Sequence, residues 1–307
     1  MLENLQFFVL KMAMLTPEYL DKYQLSQSFD RVASTYEQYA QLQQQIGNNL
    51  LERLEYIKIV PQKIADIGAG SGRLSRALSQ RYPQAQVYGI DLSLKMVTTA
   101  CRQAPRWFSR QHFACADALQ LPIADNGIDL LLSNLMLQWC NDIHGIFAEF
   151  TRVLKPTGAL LFSTFGPDTL KELRHSWAIA DNASHVNRFV DIHELGDALL
   201  QAQLTQPVLD TDWLQLTYPD VKQLMKALKN IGAHNITVGR PRGLMGKAKF
   251  QTMLSAYEQY RNADGNVPVT YEVIYGHAWG RGTVKSTPQT VNIPLAQLGG
   301  SGKRNNR

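Results

Sequence analysis

Few cysteines and the absence of a long apolar run limit what this chain can be. Its 307 residues include only Cys101, Cys115 and Cys140, whose spacing fits neither a metal site nor a disulfide framework. We therefore expect reduced thiols, no bound metal and a cytoplasmic protein. No apolar run approaches the roughly 20 residues of a membrane helix, so no membrane span is predicted. The apolar start lacks a basic segment and a cleavage site, which argues against a signal peptide.

The composition is that of a globular protein with a mild excess of positive charge. Apolar residues make up 45% and charged residues 19% of the chain, and the formal net charge is +5. Part of this charge lies in the tail over residues 281–307, which is predicted to be disordered. A basic surface attracts nucleic acid, anionic membranes or acidic proteins, and the total charge does not choose among them.

Short apolar runs alternate with helical segments between residues 63 and 164. The apolar runs cover residues 63–67, 87–90, 112–115, 128–133 and 159–163, and the helices cover 72–81, 94–102 and 143–154. This alternation is typical of a parallel sheet wound by crossover helices. It predicts an α/β protein with a doubly wound, mostly parallel sheet.

The alternation breaks after residue 164. Helices are predicted over residues 168–180, 193–203, 220–231 and 249–260, and strands over 213–217 and 270–279. A long amphipathic helix is predicted before the core, over residues 38–56. We therefore divide the chain into a flexible leader (1–20), N-terminal helices that form a lid (21–62), a cofactor-binding core (63–164), a helical insertion with late strands (165–280) and the tail (281–307).

A glycine-rich turn, Asp66-Ile67-Gly68-Ala69-Gly70-Ser71-Gly72, follows the first predicted strand. The alternate glycines Gly68, Gly70 and Gly72 let the backbone turn tightly and approach a ligand closely. The carboxylate of Asp66 suits a cation, such as the sulfonium and ammonium groups of S-adenosylmethionine, better than a pyrophosphate.

Three further polar signals follow the next three strands in order. Asp91, beside Leu92, ends the second strand, where a carboxylate can accept both ribose hydroxyls. Asp117 and Ala118 follow the third strand, where an acid can accept from an adenine amino group. Asn134 follows the fourth strand, where it is expected to face the methyl group of S-adenosylmethionine. A nicotinamide dehydrogenase shares only the first two signals, so the set predicts S-adenosylmethionine as the cofactor.

These motifs resemble those of class I methyltransferases over residues 63–164, which implies a Rossmann-like, seven-stranded sheet with a helical cap. A narrower resemblance links the chain to the malonyl-acyl-carrier-protein O-methyltransferases of biotin synthesis. It rests on residues 29–36 (FDRVASTY), 133–140 (SNLMLQWC), 185–189 (HVNRF) and 228–235 (LKNIGAHN). That family methylates the free carboxylate of a malonyl thioester, so that fatty-acid synthesis can elongate it towards pimelate.

Other segments resemble the complex I assembly factors, which share the fold and are associated with arginine hydroxylation on a partner subunit. These segments are residues 165–174 (FGPDTLKELR) and 268–271 (PVTY). The elements at residues 187–189 and 231–235 favour the biotin family. A methyltransferase for another small acid or a quinone precursor is a further alternative.

Methyl transfer to a carboxylate needs no general base. The acceptor is already ionised near neutral pH, because a carboxylic acid has a pKa of about 4, and proximity and orientation supply most of the acceleration. Residues 133–136 read Ser-Asn-Leu-Met, unlike the N-P-P-[YF] tetrad of enzymes that methylate nucleobases or amides. The sequence therefore predicts no catalytic base and no nucleic-acid partner.

A buried acceptor carboxylate needs a partner, because burying a lone charge is costly. Arg188 is our first candidate for this partner and Arg174 the second, since arginine pairs bidentately with carboxylates. The resemblance implies that Tyr36 belongs to a lid over the cofactor, and Gln138 is expected to line the acceptor channel.

The expected partner is malonyl-acyl carrier protein or malonyl-CoA, and the sequence does not choose between these carriers. The basic segment with Arg240, Arg242, Lys247 and Lys249 is a candidate dock for an acidic carrier protein. The oligomeric state stays open.

Overall fold

The computed structural model describes residues 19–105, 109–237 and 246–282. Most of the predicted leader, the basic residues Arg240 and Arg242 and the tail from residue 283 lie outside the described residues.

A seven-stranded sheet with strand order β3-β2-β1-β4-β5-β7-β6 forms the centre of the protein. Its strands are β1 (Lys63–Ile67), β2 (Gln86–Asp91), β3 (Gln111–Cys115), β4 (Ile128–Asn134), β5 (Leu154–Phe165), β6 (Thr205–Tyr218) and β7 (Val267–Trp279). The first five strands are parallel, and β7 runs antiparallel between β5 and β6. The predicted fold class is confirmed.

Ten α-helices are described around the sheet. They are α1 (Lys22–Val32), α2 (Tyr36–Tyr39), α3 (Gln41–Arg53), α4 (Arg73–Arg81), α5 (Leu94–Gln103), α6 (Ile143–Val153), α7 (Lys171–Ala180), α8 (Ile192–Gln201), α9 (Val221–Asn230) and α10 (Lys247–Tyr257). Asp21, Ser93, Asp142, Asp191 and Asp220 cap five of them, each with a side-chain oxygen that accepts from a backbone N–H of the first turn. Among the helices of the described part of the chain, none combines the length and apolar character needed to cross a bilayer.

Both faces of the sheet are buried over its central strands. One apolar cluster joins the sheet to α3, α4, α7, α9 and α10, and its largest buried side chains include Tyr257 and Trp177. The second cluster packs α6 and α8 on the opposite face, around Phe147, Phe150 and Phe162. Burial on both faces explains why the core strands are continuous apolar runs.

Three differences from the predicted elements have physical causes. The helix predicted over residues 38–56 is interrupted at Ala40, whose φ of −87° and ψ of 39° are not helical. The helix predicted from residue 168 begins at Lys171, because Leu170 has a φ of +57°. The edge strand β6 begins at Thr205 rather than near 213, since its early residues alternate between half-buried and exposed positions without a strong apolar pattern.

Gly276 of β7 lies opposite Phe162 of β5 and leaves room for its ring. A Cβ at Gly276 would overlap this fully buried ring. We expect Gly276→Ala to lower the free energy of unfolding by about 1–3 kcal/mol through overpacking, measured by urea denaturation.

Gly196 of α8 provides the matched control. A Cβ there would meet only Leu209, at an ordinary 3.7 Å, so Gly196→Ala should stabilise the protein by up to about 1 kcal/mol. Equal effects of the two substitutions would contradict the packing assigned to Gly276.

Candidate functional site

A cavity opens at the carboxyl ends of β1, β2 and β4. The strand order reverses beside β1, and crevices at such switch points are where open α/β sheets bind ligands. The ends of these strands line one part of the cavity, and α1, α7, α9 and the segments around residues 185–189 and 231–235 line the rest. The lining therefore joins the strand ends to side chains of the helical cap.

The glycine-rich turn forms the floor of the cavity. Gly68, Gly70 and Gly72 all have φ values between +54° and +79°, a conformation that favours glycine. A Cβ on Gly68 would lie 2.5 Å from the side chain of Met136. Gly68 and Gly70 line the cavity, whereas Gly72 begins α4 and packs against Ala100.

Asp91 holds the turn from the end of β2. Its two carboxylate oxygens accept the N–H groups of Gly70 and Ser93, both at 2.8 Å. Burial raises the pKa of Asp91, and these hydrogen bonds oppose the shift. Asp91 and Leu92 both line the cavity, so the carboxylate lies where the sequence predicts it.

Asp117 and Ala118 line the same end of the cavity. One oxygen of Asp117 accepts the Leu119 N–H at 3.0 Å, and the other accepts from the Lys22 ammonium at 2.6 Å. Burial raises the pKa of Asp117, but these hydrogen bonds outweigh it and leave the pKa below its ordinary value. The bond from Lys22 therefore holds α1 over this end of the cavity.

Asn134 and Gln138 line the middle of the cavity, but their polar atoms already have partners in the protein. The Asn134 oxygen accepts from the Ser163 hydroxyl at 2.7 Å, and its nitrogen donates to the Gln43 carbonyl at 3.2 Å. The Gln138 amide donates to the Leu135 carbonyl at 2.7 Å. These bonds hold the chain after β4 in place.

Tyr36 lies above the glycine-rich turn, with a ring carbon 4.0 Å from the Cβ position of Gly70. It lines the cavity and packs edge-to-face on Phe29. Burial, and then the charge of Asp91, raise the pKa of the Tyr36 hydroxyl. Tyr36 therefore stays protonated and offers an O–H donor.

Asp66 does not line the cavity, which corrects the expectation that its carboxylate contacts a cationic ligand. Side chains alternate along a strand, and Asp66 points to the face of the sheet covered by α4, where the Ser75 hydroxyl donates to it at 2.6 Å. Burial raises the pKa of Asp66 from 3.8 to about 6. Its role is to join β1 to α4 beneath the turn.

Arg188 and Arg174 also lie outside the main cavity, and both line a neighbouring one. Asn187 and Phe189 point into the main cavity, whereas Arg188 between them is 73% exposed and pairs with Glu194 at 3.4 Å. Arg174 donates to the backbone carbonyls of the loop before α7. The arginine clamp expected for an acceptor carboxylate is therefore not formed by either residue.

Several lining residues were not predicted from the sequence. Lys22 and Phe29 come from α1, whose single buried apolar residue, Leu25, gives too weak a periodic signal. His185 also lines the cavity; its ring stacks on Trp177 at 3.9 Å and bonds to Asp181 at 2.7 Å. Across residues 19–105, 109–237 and 246–282, no cluster of His, Cys, Asp or Glu side chains could hold a metal ion.

The raised pKa of Asp66 predicts a pH-dependent stability. The folded protein binds this proton more tightly than the unfolded chain, so the resulting stability is full below about pH 4 and is lost as the pH rises through about 6. Asp66→Asn removes this titration. The wild type should therefore lose stability relative to Asp66→Asn as the pH rises from 4 to 7. The difference between their free energies of unfolding should change in favour of the variant by at most roughly 3 kcal/mol.

Asp129→Asn, measured by urea denaturation at the same pH values, should show no such change, because the lowered pKa of Asp129 places its own pH dependence below about pH 4. Partial burial raises the pKa of Asp129, but the hydrogen bond from Lys155 and two backbone N–H groups bring it below its ordinary value. A flat Asp66→Asn difference across this pH range would contradict the environment assigned to Asp66.

Comparison with known proteins agrees with this architecture. A methyltransferase domain model matches residues 65–162. The YcgJ protein of Bacillus subtilis, a solved structure, superposes with a TM-score of 0.55 at 19% identity, covering 76% of this chain and 98% of that one. This likeness shows the fold.

Two curated relatives are much closer in sequence. A malonyl-[acyl-carrier protein] O-methyltransferase of Gallionella capsiferriformans is 48% identical over 265 residues, covering 85% of this chain and 91% of that protein. One of Methylovorus sp. is 48% identical over 265 residues, covering 85% and 89%. The resemblance noted in the sequence is confirmed: the chain belongs to the malonyl-[acyl-carrier protein] O-methyltransferase family of S-adenosylmethionine-dependent enzymes.

Proposed function

We propose that this chain transfers the methyl group of S-adenosylmethionine to the free carboxylate of malonyl-acyl carrier protein, giving the methyl ester that primes pimeloyl synthesis for biotin. The observation that carries this proposal is one cavity with a cofactor end at the strand ends and an apolar second end under the cap. The family membership supports the malonyl thioester as acceptor.

The cofactor end offers a partner for each part of S-adenosylmethionine. In this proposal Asp91 accepts the ribose hydroxyls, and Asp117, with Leu92 and Ala118, borders the adenine. The close backbone of Gly68 and Gly70 leaves room for the methionine part. Asn134, fixed by Ser163, borders the methyl group.

The chemistry explains why the second end is apolar. A carboxylate attacks the carbon of a sulfonium, and a neutral ester and a neutral thioether are formed. Because both charges disappear, surroundings that solvate ions poorly disfavour the reactants more than the transition state. Phe165, Leu170, Leu173, Phe189 and Tyr271 surround this part of the cavity.

The sulfonium itself is the main electrostatic partner of the acceptor carboxylate in this mechanism. Lys22 also lines the cavity, but its ammonium group is already bound to Asp117 at the adenine end. Tyr36 is protonated and faces the glycine-rich turn, so its hydroxyl is available to orient an oxygen of the acceptor. No residue needs to remove a proton.

Replacing Asp91 tests the cofactor end. Asp91→Asn should weaken the binding of S-adenosylmethionine by about 10–100-fold, since hydrogen bonds to a charged group contribute roughly 1.5–3 kcal/mol each. The measurement is isothermal titration calorimetry. Asp129→Asn makes the same chemical change at the amino end of β4, away from the cavity, and should bind the cofactor as the wild type does. Unchanged affinity in Asp91→Asn would contradict the assignment.

An acceptor comparison tests the reaction. The protein is incubated with cofactor labelled in the methyl group and with malonyl-acyl carrier protein, malonyl-CoA, a free dicarboxylic acid or a quinone precursor. We expect base-labile methyl ester on the malonyl thioesters and none on the others. Transfer to the free acid or the quinone precursor would indicate the alternative small-molecule enzymes. Tight cofactor binding without transfer to any acceptor would favour the assembly-factor alternative.

A further inference from the structure

Three lysines form a row on the outer face of α9. Lys222, Lys226 and Lys229 have the spacing i, i+4 and i+7, which places them on one side of a helix over about 10 Å. All three are exposed. None of them forms an ion pair with a described residue. We call Lys222, Lys226 and Lys229 the lysine face.

Two other basic side chains near the cavity have acidic partners. Arg188 pairs with Glu194, and Lys249 pairs with Asp181. The acid closest in sequence to the lysine face is Asp220, which caps α9 by accepting the Gln223 N–H at 2.8 Å and forms no ion pair with these lysines. Within the described part of the chain, the lysine face therefore has no ion-pair partner.

The lysine face lies next to the acceptor end of the cavity. On the opposite side of α9, Leu224 is buried and Leu228 lines the cavity. The chain leaves α9 through Ile231, which also lines the cavity, and turns at Gly232, whose φ is +75°. Gly232 packs against Phe29 of α1. A partner bound on the lysine face is therefore within one helix width of the cavity.

We propose that the lysine face docks the acyl carrier protein, with the acyl arm entering past the carboxyl end of α9. This inference rests on the proposed function, which requires a large acidic partner to present a tethered malonyl group. A row of ammonium groups matches the acidic surface of such a carrier. Phosphate polymers and anionic membranes are attracted by the same charge and are distinguished by experiment.

Charge complementarity of this kind acts mainly on the rate of encounter and weakens with added salt. We expect Lys226→Glu combined with Lys229→Gln to lower kcat/KM for malonyl-acyl carrier protein by about tenfold or more at low ionic strength. The loss should shrink as potassium chloride is added. The kcat/KM for malonyl-pantetheine, which has the arm but no carrier protein, should stay within about twofold of the wild type, because no protein surface has to dock.

Lys58→Glu combined with Arg102→Gln is the matched control. It changes the net charge by the same amount at exposed positions before β1 and at the end of α5. It should leave kcat/KM for both substrates unchanged. An equal loss with malonyl-pantetheine, or an equal loss in the control variant, would overturn the proposal.

Direct binding separates this proposal from the proposed function. Fluorescence anisotropy of labelled carrier protein should show weaker binding to the lysine-face variant than to the wild type, whatever acceptor is methylated. Unchanged carrier affinity, or a loss seen only for RNA or anionic vesicles, would show that the surface serves another partner. A wild type that binds carrier protein through these lysines but methylates no malonyl thioester would refute the proposed reaction and retain the docking surface.

Discussion

The position of every group in the cavity depends on the reversal of strand order beside β1. The chain first extends the sheet outward through β2 and β3 and then returns to place β4 on the other side of β1. The helices that follow β1 and β4 consequently pack on opposite faces, α4 with one apolar cluster and α6 with the other. The crevice left between them is the space into which the ends of β1, β2 and β4 open together.

This constraint explains which site residues could be predicted from the sequence. Gly68, Asp91 and Asn134 directly follow or end strands, and strand ends meet at one edge of the sheet, so spacing along the chain is enough to bring them together. For Asp66 and Arg188, a correct prediction also depends on the direction in which the side chain points. In each case a neighbouring residue faces the cavity and the predicted residue faces away from it. Composition and spacing carry no information on that direction, since it depends on register and packing.

The distribution of charge follows from the reaction proposed for the cavity. A site that pairs an anionic acceptor with a fixed arginine would stabilise the ionised reactant and leave a buried cation after the ester forms. A site in which the cofactor is the counter-ion leaves no such charge. The exposed position of Arg188, the backbone hydrogen bonds of Arg174 and the internal hydrogen bonds of Asn134 and Gln138 agree with this second arrangement. Positive charge is instead found on the surface, where it is solvated.

Helix α1 joins the two ends of the cavity. Lys22 bonds to Asp117 beside the cofactor end, while the adjacent Asp21 N–H donates to the Ile236 carbonyl and Leu20 bridges to Thr237, at the end of the segment that lines the acceptor side. A ligand at either end that stabilises this position of α1 also favours binding at the other end. Because thermodynamic linkage is reciprocal, any gain in acceptor affinity that the cofactor brings about through α1 is matched by an equal factor in cofactor affinity.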